Sequence, residues 1–193
     1  MYKFAINRPI TILMAVMALI IFGLKSYSSM PLALYPNVDF PIITILTTYP
    51  GADAKTVESK ITDKIEEAVS DAKASGAELI LFPELTTCGY PPRDFLEFSD
   101  FIARSNEVIE KTRELADGIA IVIGAPFVNP QIEGKDLFNS AYFLADKKIL
   151  NITHKTLLPT YDVFDEYRYF EPNSEFNIVE WNGYKIAVTI CED

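Results

Sequence analysis

The chain has 193 residues, 49% hydrophobic and 23% charged, with a formal net charge of −10, a length that admits one large domain or two small ones. Clustered positive charge is missing, which excludes a nucleic-acid surface. Two distant cysteines without CxxC spacing exclude a disulfide scaffold and argue against a structural zinc site. Residues 1–69 hold six acids and six bases, so the whole acidic excess lies in residues 70–193.

The first predicted element follows Arg8: sixteen uncharged residues, 9–24 (PITILMAVMALIIFGL). As a helix they cover roughly 24 Å, and continuation past Lys25 to about Met30 reaches the ~30 Å of a bilayer core, with the lysine charge at the interface. Lys3 and Arg8 ahead of the run favour a cytoplasmic N-terminus. A signal peptide shares the basic start and apolar stretch. The following SYSSMPLALYP offers only weak cleavage sites, so an uncleaved anchor over residues 9–30 is expected.

Pro36, Pro41 and Pro50 punctuate a β-rich stretch at 42–49. A helix follows, on which Val57, Ile61, Ile65, Val69 and Ala72 recur every three to four residues up to Gly76, a candidate C-cap. Next come a short apolar strand at 79–82 and a helix with Phe98, Phe101, Ile102, Val108, Ile109 and Leu115 on its apolar side. A buried strand at 119–126 precedes a hairpin of 137–145 and 149–153, turning at Asp146, Lys147 and Lys148. A long aromatic loop, HKTLLPTYDVFDEYRYFEPNS, has a length that suggests function. A second hairpin, FNIVEW and YKIAVTI around Asn182–Gly183, leads to Cys191. Strands alternating with helices, plus hairpins, predict a layered α/β domain.

Three reactive groups stand at strand ends: Glu84, Lys155 and Cys191. Acyl transfer by a thiol needs a base and a positive or N–H partner for the developing oxyanion, which a carboxylate and an ammonium supply. Taken singly, each has a bland reading: a solvated acid, a surface lysine, a packed thiol. Cys88 reads as structural. His154 is an alternative base for a cysteine, but reads better as a loop or polar-contact residue.

Two resemblances sharpen this. NRP, the apolar span, PLALYPNVDFPIITI, YPGADAKTVE and IEEAV make residues 1–69 similar to the N-terminus of resistance-nodulation-division efflux transporters. There the stretch is the first transmembrane helix and the opening strand and helix of a porter subdomain. LILFPELTTCGYPPRDFLE, HKTLLPTYDVFDEYRYF and ICED make residues 70–193 resemble the nitrilase (carbon–nitrogen hydrolase) superfamily. GYPPRD and FDEYRYF are closer still to the glutaminase domains of glutamine-dependent NAD synthetases. The second resemblance implies Glu84 as general base, Lys155 as stabiliser of the tetrahedral intermediate and Cys191 as nucleophile on the glutamine side-chain amide. It also implies Tyr90 and Tyr161 as pocket residues, and Glu166 as a residue that positions Lys155 or the substrate. No metal or cofactor is implied; an ATP-dependent synthetase domain is the expected recipient of ammonia.

The expected architecture is thus a partial nitrilase-like α-β-β-α sandwich preceded by one transmembrane helix. Its parts are an anchor at 1–31, a porter-like strand and helix at 32–69, and a truncated glutaminase domain at 70–193. The joint falls inside a helix, as a recombination or assembly product would place it. Only Glu192 and Asp193 follow the nucleophile, so little turnover is expected of this chain by itself. The alternative function is that of an efflux-transporter fragment. Location is divided likewise: the anchor implies membrane attachment with later residues outside the cytoplasm, the hydrolase resemblance a cytoplasmic enzyme.

Overall fold

The computed structural model describes residues 8–29, 54–131 and 133–193, without the side chains of residues 9, 28, 29 and 54–59. The β-rich stretch expected at 42–49, and with it most of the porter-like segment, lies outside the described residues, as does the side chain of Val57. The chain divides into two compact units, Met1–Pro41 and Ile42–Asp193.

The first unit contains α1 (Pro9–Ser29). Residues Ile10–Tyr27 have a mean hydropathy of 2.0, and none is buried. The helix is long and apolar enough to cross a membrane.

The second unit is built on a four-stranded sheet in the order β1-β2-β3-β4: β1 (Leu79–Leu81), β2 (Ala120–Val128), β3 (Leu137–Ala145) and β4 (Lys148–His154). β1 runs parallel to β2, and the remaining pairs are antiparallel. The parallel pair needs a crossover, which a 3₁₀ turn (Arg93–Glu97) and α3 (Ser99–Leu115) supply after α2 (Ala54–Ala74) has led into β1. α2 ends in a Schellman motif: Gly76 N–H donates to Lys73 O and Ala77 N–H to Ala72 O, with Gly76 at φ +76°. The predicted C-cap is therefore where the sequence placed it.

Alternation along β2 divides the core. Ile121, Ile123 and Ala125 face the helices, where they join Ile61, Ile65, Val69 and Ala72 of α2 and Val108 and Ile109 of α3. Ala120 and Val122 face the opposite side, with Phe143 of β3 and Val179 and Ile190. There the hairpin of β5 (Ile178–Trp181) and β6 (Tyr184–Ala187) forms a second sheet against the first. Helices on one face and a sheet on the other make three packed layers. Ile65 and Val69 are each 2% exposed, so α2 is part of this core; truncating such a residue to alanine costs about 2–5 kcal/mol for an isoleucine.

Two readings need correction. Phe98 is not on the apolar face of α3: it caps the helix N-terminus and is 61% exposed. The 3₁₀ turn at Arg93–Glu97 comes directly before it. The strand before Cys191 ends at Ala187, short of the predicted 190. Both hairpins turn through two residues with positive φ, Asp146–Lys147 and Asn182–Gly183, which matches the right-handed twist of the strands they join.

Candidate active site

Glu84 sits in a turn just beyond β1, laid across β2 at Gly124. A Cβ on Gly124 would stand 2.4 Å from Leu85 N and 2.7 Å from Pro83 O. Only glycine admits that approach, so Gly124 sets how deep the Glu84 segment lies. Lys155 follows β4 directly, its N–H donating to Asn139 O on β3 at 2.8 Å. Glu166 opens the short helix α4 (Glu166–Tyr169) within the long loop and is 4% exposed.

These three side chains meet. Lys155 Nζ, fully buried, donates to Glu84 Oε1 at 2.6 Å and to both Glu166 oxygens at 2.9 Å. Burial alone would lower the ammonium's pKa; the hydrogen bonds and charges of Glu84 and Glu166 outweigh it and raise the value. Tyr90 O–H donates to Glu166 Oε1 at 2.6 Å, and burial followed by that contact pushes the phenol up. Asn139 Nδ2 donates to Glu84 Oε1 at 2.6 Å and to Glu166 Oε2 at 3.2 Å.

Cys191 lies in a turn with φ +55°, and its thiol senses all three charges. The residue is exposed, yet partial desolvation and then Glu84 raise its pKa, Lys155 lowers it, and Glu166 raises it further. The net shift is upward, so the group rests as a thiol and needs a base to become a nucleophile. Asp193 fastens this turn: Oδ1 accepts from Thr156 N at 2.9 Å and Leu157 N at 2.8 Å, and Oδ2 from Ile190 N at 3.3 Å. The turn carrying Cys191 is thereby tied to the two residues after Lys155.

Glu84 and Cys191 line a cavity of about 260 Å³ between the two sheets, together with Ser140 and Gly124. A larger depression of about 600 Å³ opens on the Glu166 side, lined by Tyr90, Phe164, Arg93 and Arg168. Tyr161 is more than half exposed, donates to Glu192 Oε1 and meets Phe164 edge-on. His154 is occupied elsewhere: it stacks on Phe138 with centroids 4.3 Å apart and shares a 2.7 Å hydrogen bond with Ser140 Oγ. Cys88 is a packed thiol whose pKa burial drives upward. Among the described residues no group of three or more His, Cys, Asp or Glu could hold a metal ion.

The structure thus brings Glu84, Lys155, Glu166 and Tyr90 into one hydrogen-bonded network with Cys191 beside it. Asn139, Asp193 and Gly124 went unnoticed in the sequence. Glycine inside an apolar strand was the one available signal, since it marks close backbone approach.

A carbon–nitrogen hydrolase family model matches residues 49–193, and one for the AcrB/AcrD/AcrF family matches residues 1–75. The two overlap across α2. Among curated proteins, the glutamine-dependent NAD(+) synthetase of Synechocystis sp. is 42% identical over 74% of this chain and 25% of its own. That of Thermotoga maritima is 35% identical over 67% and 22%. The solved glutamine-dependent NAD+ synthetase of Acinetobacter baumannii superposes with a TM-score of 0.64 at 35% identity, covering 70% of this chain and 25% of that one. An amidase from Nesterenkonia sp. shares the fold, with a TM-score of 0.58 at 22% identity over 69% and 50%. The chain spans about a quarter of the length of the synthetases it matches.

Proposed function

The chain belongs to the carbon–nitrogen hydrolase family, and on that premise we propose that it carries a cysteine-dependent site for cleaving the side-chain amide of glutamine. The substrate is that of the matching synthetases, named for their dependence on glutamine. One observation carries the reading: a fully buried ammonium held between two carboxylates, one of which, Glu84, lines the same cavity as Cys191. A buried ion cluster costs desolvation that an apolar core would avoid, and perturbed groups in a cleft are what acyl-transfer chemistry uses.

In this scheme the Cys191 sulfur attacks the amide carbon while its proton passes to Glu84. Lys155 stabilises the resulting oxyanion, joined by the Glu192 N–H. The C–N bond then breaks, Glu84 returns the proton to the leaving nitrogen, and ammonia departs. Water, deprotonated by Glu84, attacks the thioester; glutamate leaves and the proton returns to sulfur. Glu166 holds Lys155, Tyr90 holds Glu166, and Tyr161 donates to Glu192, the residue after the nucleophile. The ammonia would serve an ATP-dependent synthetase domain as partner.

The efflux alternative rests on the 1–75 match alone. What α1 does support is attachment to a membrane through residues 9–30, because its apolar side chains point outward all round.

The test uses the purified chain in detergent with a chloroketone analogue of glutamine and its asparagine-shaped homologue. Mass spectrometry is expected to find the glutamine analogue on Cys191, faster than the shorter homologue, and the small ammonia release that the chain retains to vanish in Cys191→Ala. Equal labelling by both reagents, or ammonia release that survives Cys191→Ala, would overturn the proposal.

A further inference from the structure

We propose that Asn139 is a positioning residue of this site, its amide fixing which oxygen of Glu84 is left to take the thiol proton. The inference rests on reading Cys191 as nucleophile and Glu84 as its base.

Asn139 is fully buried on β3, opposite Pro126 of β2. Its two amide hydrogens go to different carboxylates, Glu84 Oε1 and Glu166 Oε2. The same Glu84 Oε1 also accepts from Lys155 Nζ. Two donors at 2.6 Å saturate that oxygen, so Oε2 is the atom free to receive a proton. The backbone adds a second tie, since Lys155 N–H donates to Asn139 O. One residue therefore registers Glu84, Glu166 and Lys155 against each other.

The orientation of the amide follows from its neighbours. Carboxylate oxygens accept, so the nitrogen must face them. Among the described residues Asn139 Oδ1 then finds no partner although it is buried. Buried polar atoms are nearly always paired. An orphan acceptor here shows that the two donor contacts outweigh it, since a flip would turn oxygen toward two carboxylates. The charged groups around the cluster are Glu84 from the turn after β1, Lys155 from the end of β4, Glu166 from α4, and the Tyr90 and Cys191 side chains beside them.

The experiment is alkylation of Cys191 by iodoacetamide at neutral pH, followed by peptide mass spectrometry. Sulfur displaces iodide and the thiol proton goes to Glu84, so no glutamine is needed. A failure of glutamine cleavage and a failure of this inference are thereby separable. Asn139→Leu is expected to slow labelling at neutral pH about tenfold or more, because the donor that fixes Glu84 Oε1, and so leaves Oε2 for the thiol proton, is gone. In a Glu84→Gln background the same change is expected to add almost nothing, since both act through one contact. Asn139→Ser, which keeps a hydroxyl donor, should recover part of the loss, and it replaces Asn139→Leu if the latter does not fold. Unchanged labelling, a slowing that Asn139→Ser does not relieve, or effects that multiply with Glu84→Gln would each overturn the proposal.

Discussion

Lys155 and Glu166 form a buried ion pair in which one ammonium meets both carboxylate oxygens at 2.9 Å. Neither residue exceeds 4% exposure, so removal of the cation strands Glu166 and Glu84 face to face. Lys155→Met is expected to destabilise the fold by about 3–5 kcal/mol, the usual cost of breaking a buried pair on one side. Urea unfolding followed by circular dichroism measures it. The folded-state pKa of Lys155 lies above its ordinary 10.5. Its contribution is therefore complete below about pH 10.5 and lost as pH climbs through the folded value. The gap between wild type and Lys155→Met should stay level through neutral pH and narrow only in strong alkali. A gap already closing near pH 8 would contradict the geometry.

Gly124 gives a second, independent handle on Glu84. A methyl group there would meet the backbone of residues 83–85 at under 3 Å, and backbone yields less readily than a flexible side chain. Gly124→Ala is expected to cost about 1–3 kcal/mol by overpacking. The displaced turn carries Glu84, the proposed base, with it, so labelling of Cys191 by the glutamine analogue should fall by up to about 100-fold. Normal labelling alongside the stability loss would mean that Glu84 is not needed where it stands.

His154 is the chain's one histidine, which makes its titration easy to follow. Burial against Phe127 and Phe138 lowers its pKa below the ordinary 6.5. The unfolded chain therefore takes up a proton before the folded one does. The associated stability is complete above pH 6.5 and declines as pH falls toward the folded value. Proton NMR of the imidazole should show a midpoint below 6.5, and His154→Phe should flatten the stability profile in that window. A midpoint at or above 6.5 would show that the ring is not desolvated as placed.

Much of the layered domain was legible because its signals are local. Ile121, Ile123 and Ala125 alternate with Ala120 and Val122 as a strand buried on both faces must, and Gly76 marks the end of α2. Glu84, Lys155 and Cys191 were readable as candidates because each stands near the end of a strand within a distinctive string. What escaped depends on distant partners. Asn139 looks like any strand residue until Glu84, 55 positions earlier, is brought against it. Asp193 shows its use only when its carboxylate meets the amides of Thr156 and Leu157. Phe98 misled because its spacing continues the helical period one residue beyond the true start at Ser99.

Helix α1 supports the last prediction. Its described side chains from Ile10 to Tyr27 all lie exposed, with Phe22 at 72% and Leu19 at 72%. An amphipathic helix meant for a protein core would show a polar stripe, and this one shows none until Lys25. In water so much apolar surface would drive association, whereas a bilayer satisfies it on every side. The expressed chain should therefore sediment with membranes and resist extraction by alkaline carbonate, while a variant lacking residues 1–31 should leave that fraction. Because α2 packs into the core of the second unit through Ile61, Ile65, Val69 and Ala72, all outside the deleted segment, the shortened chain should keep the secondary structure of that unit by circular dichroism. Recovery of the full chain in the supernatant without detergent would count against a lipid environment for α1.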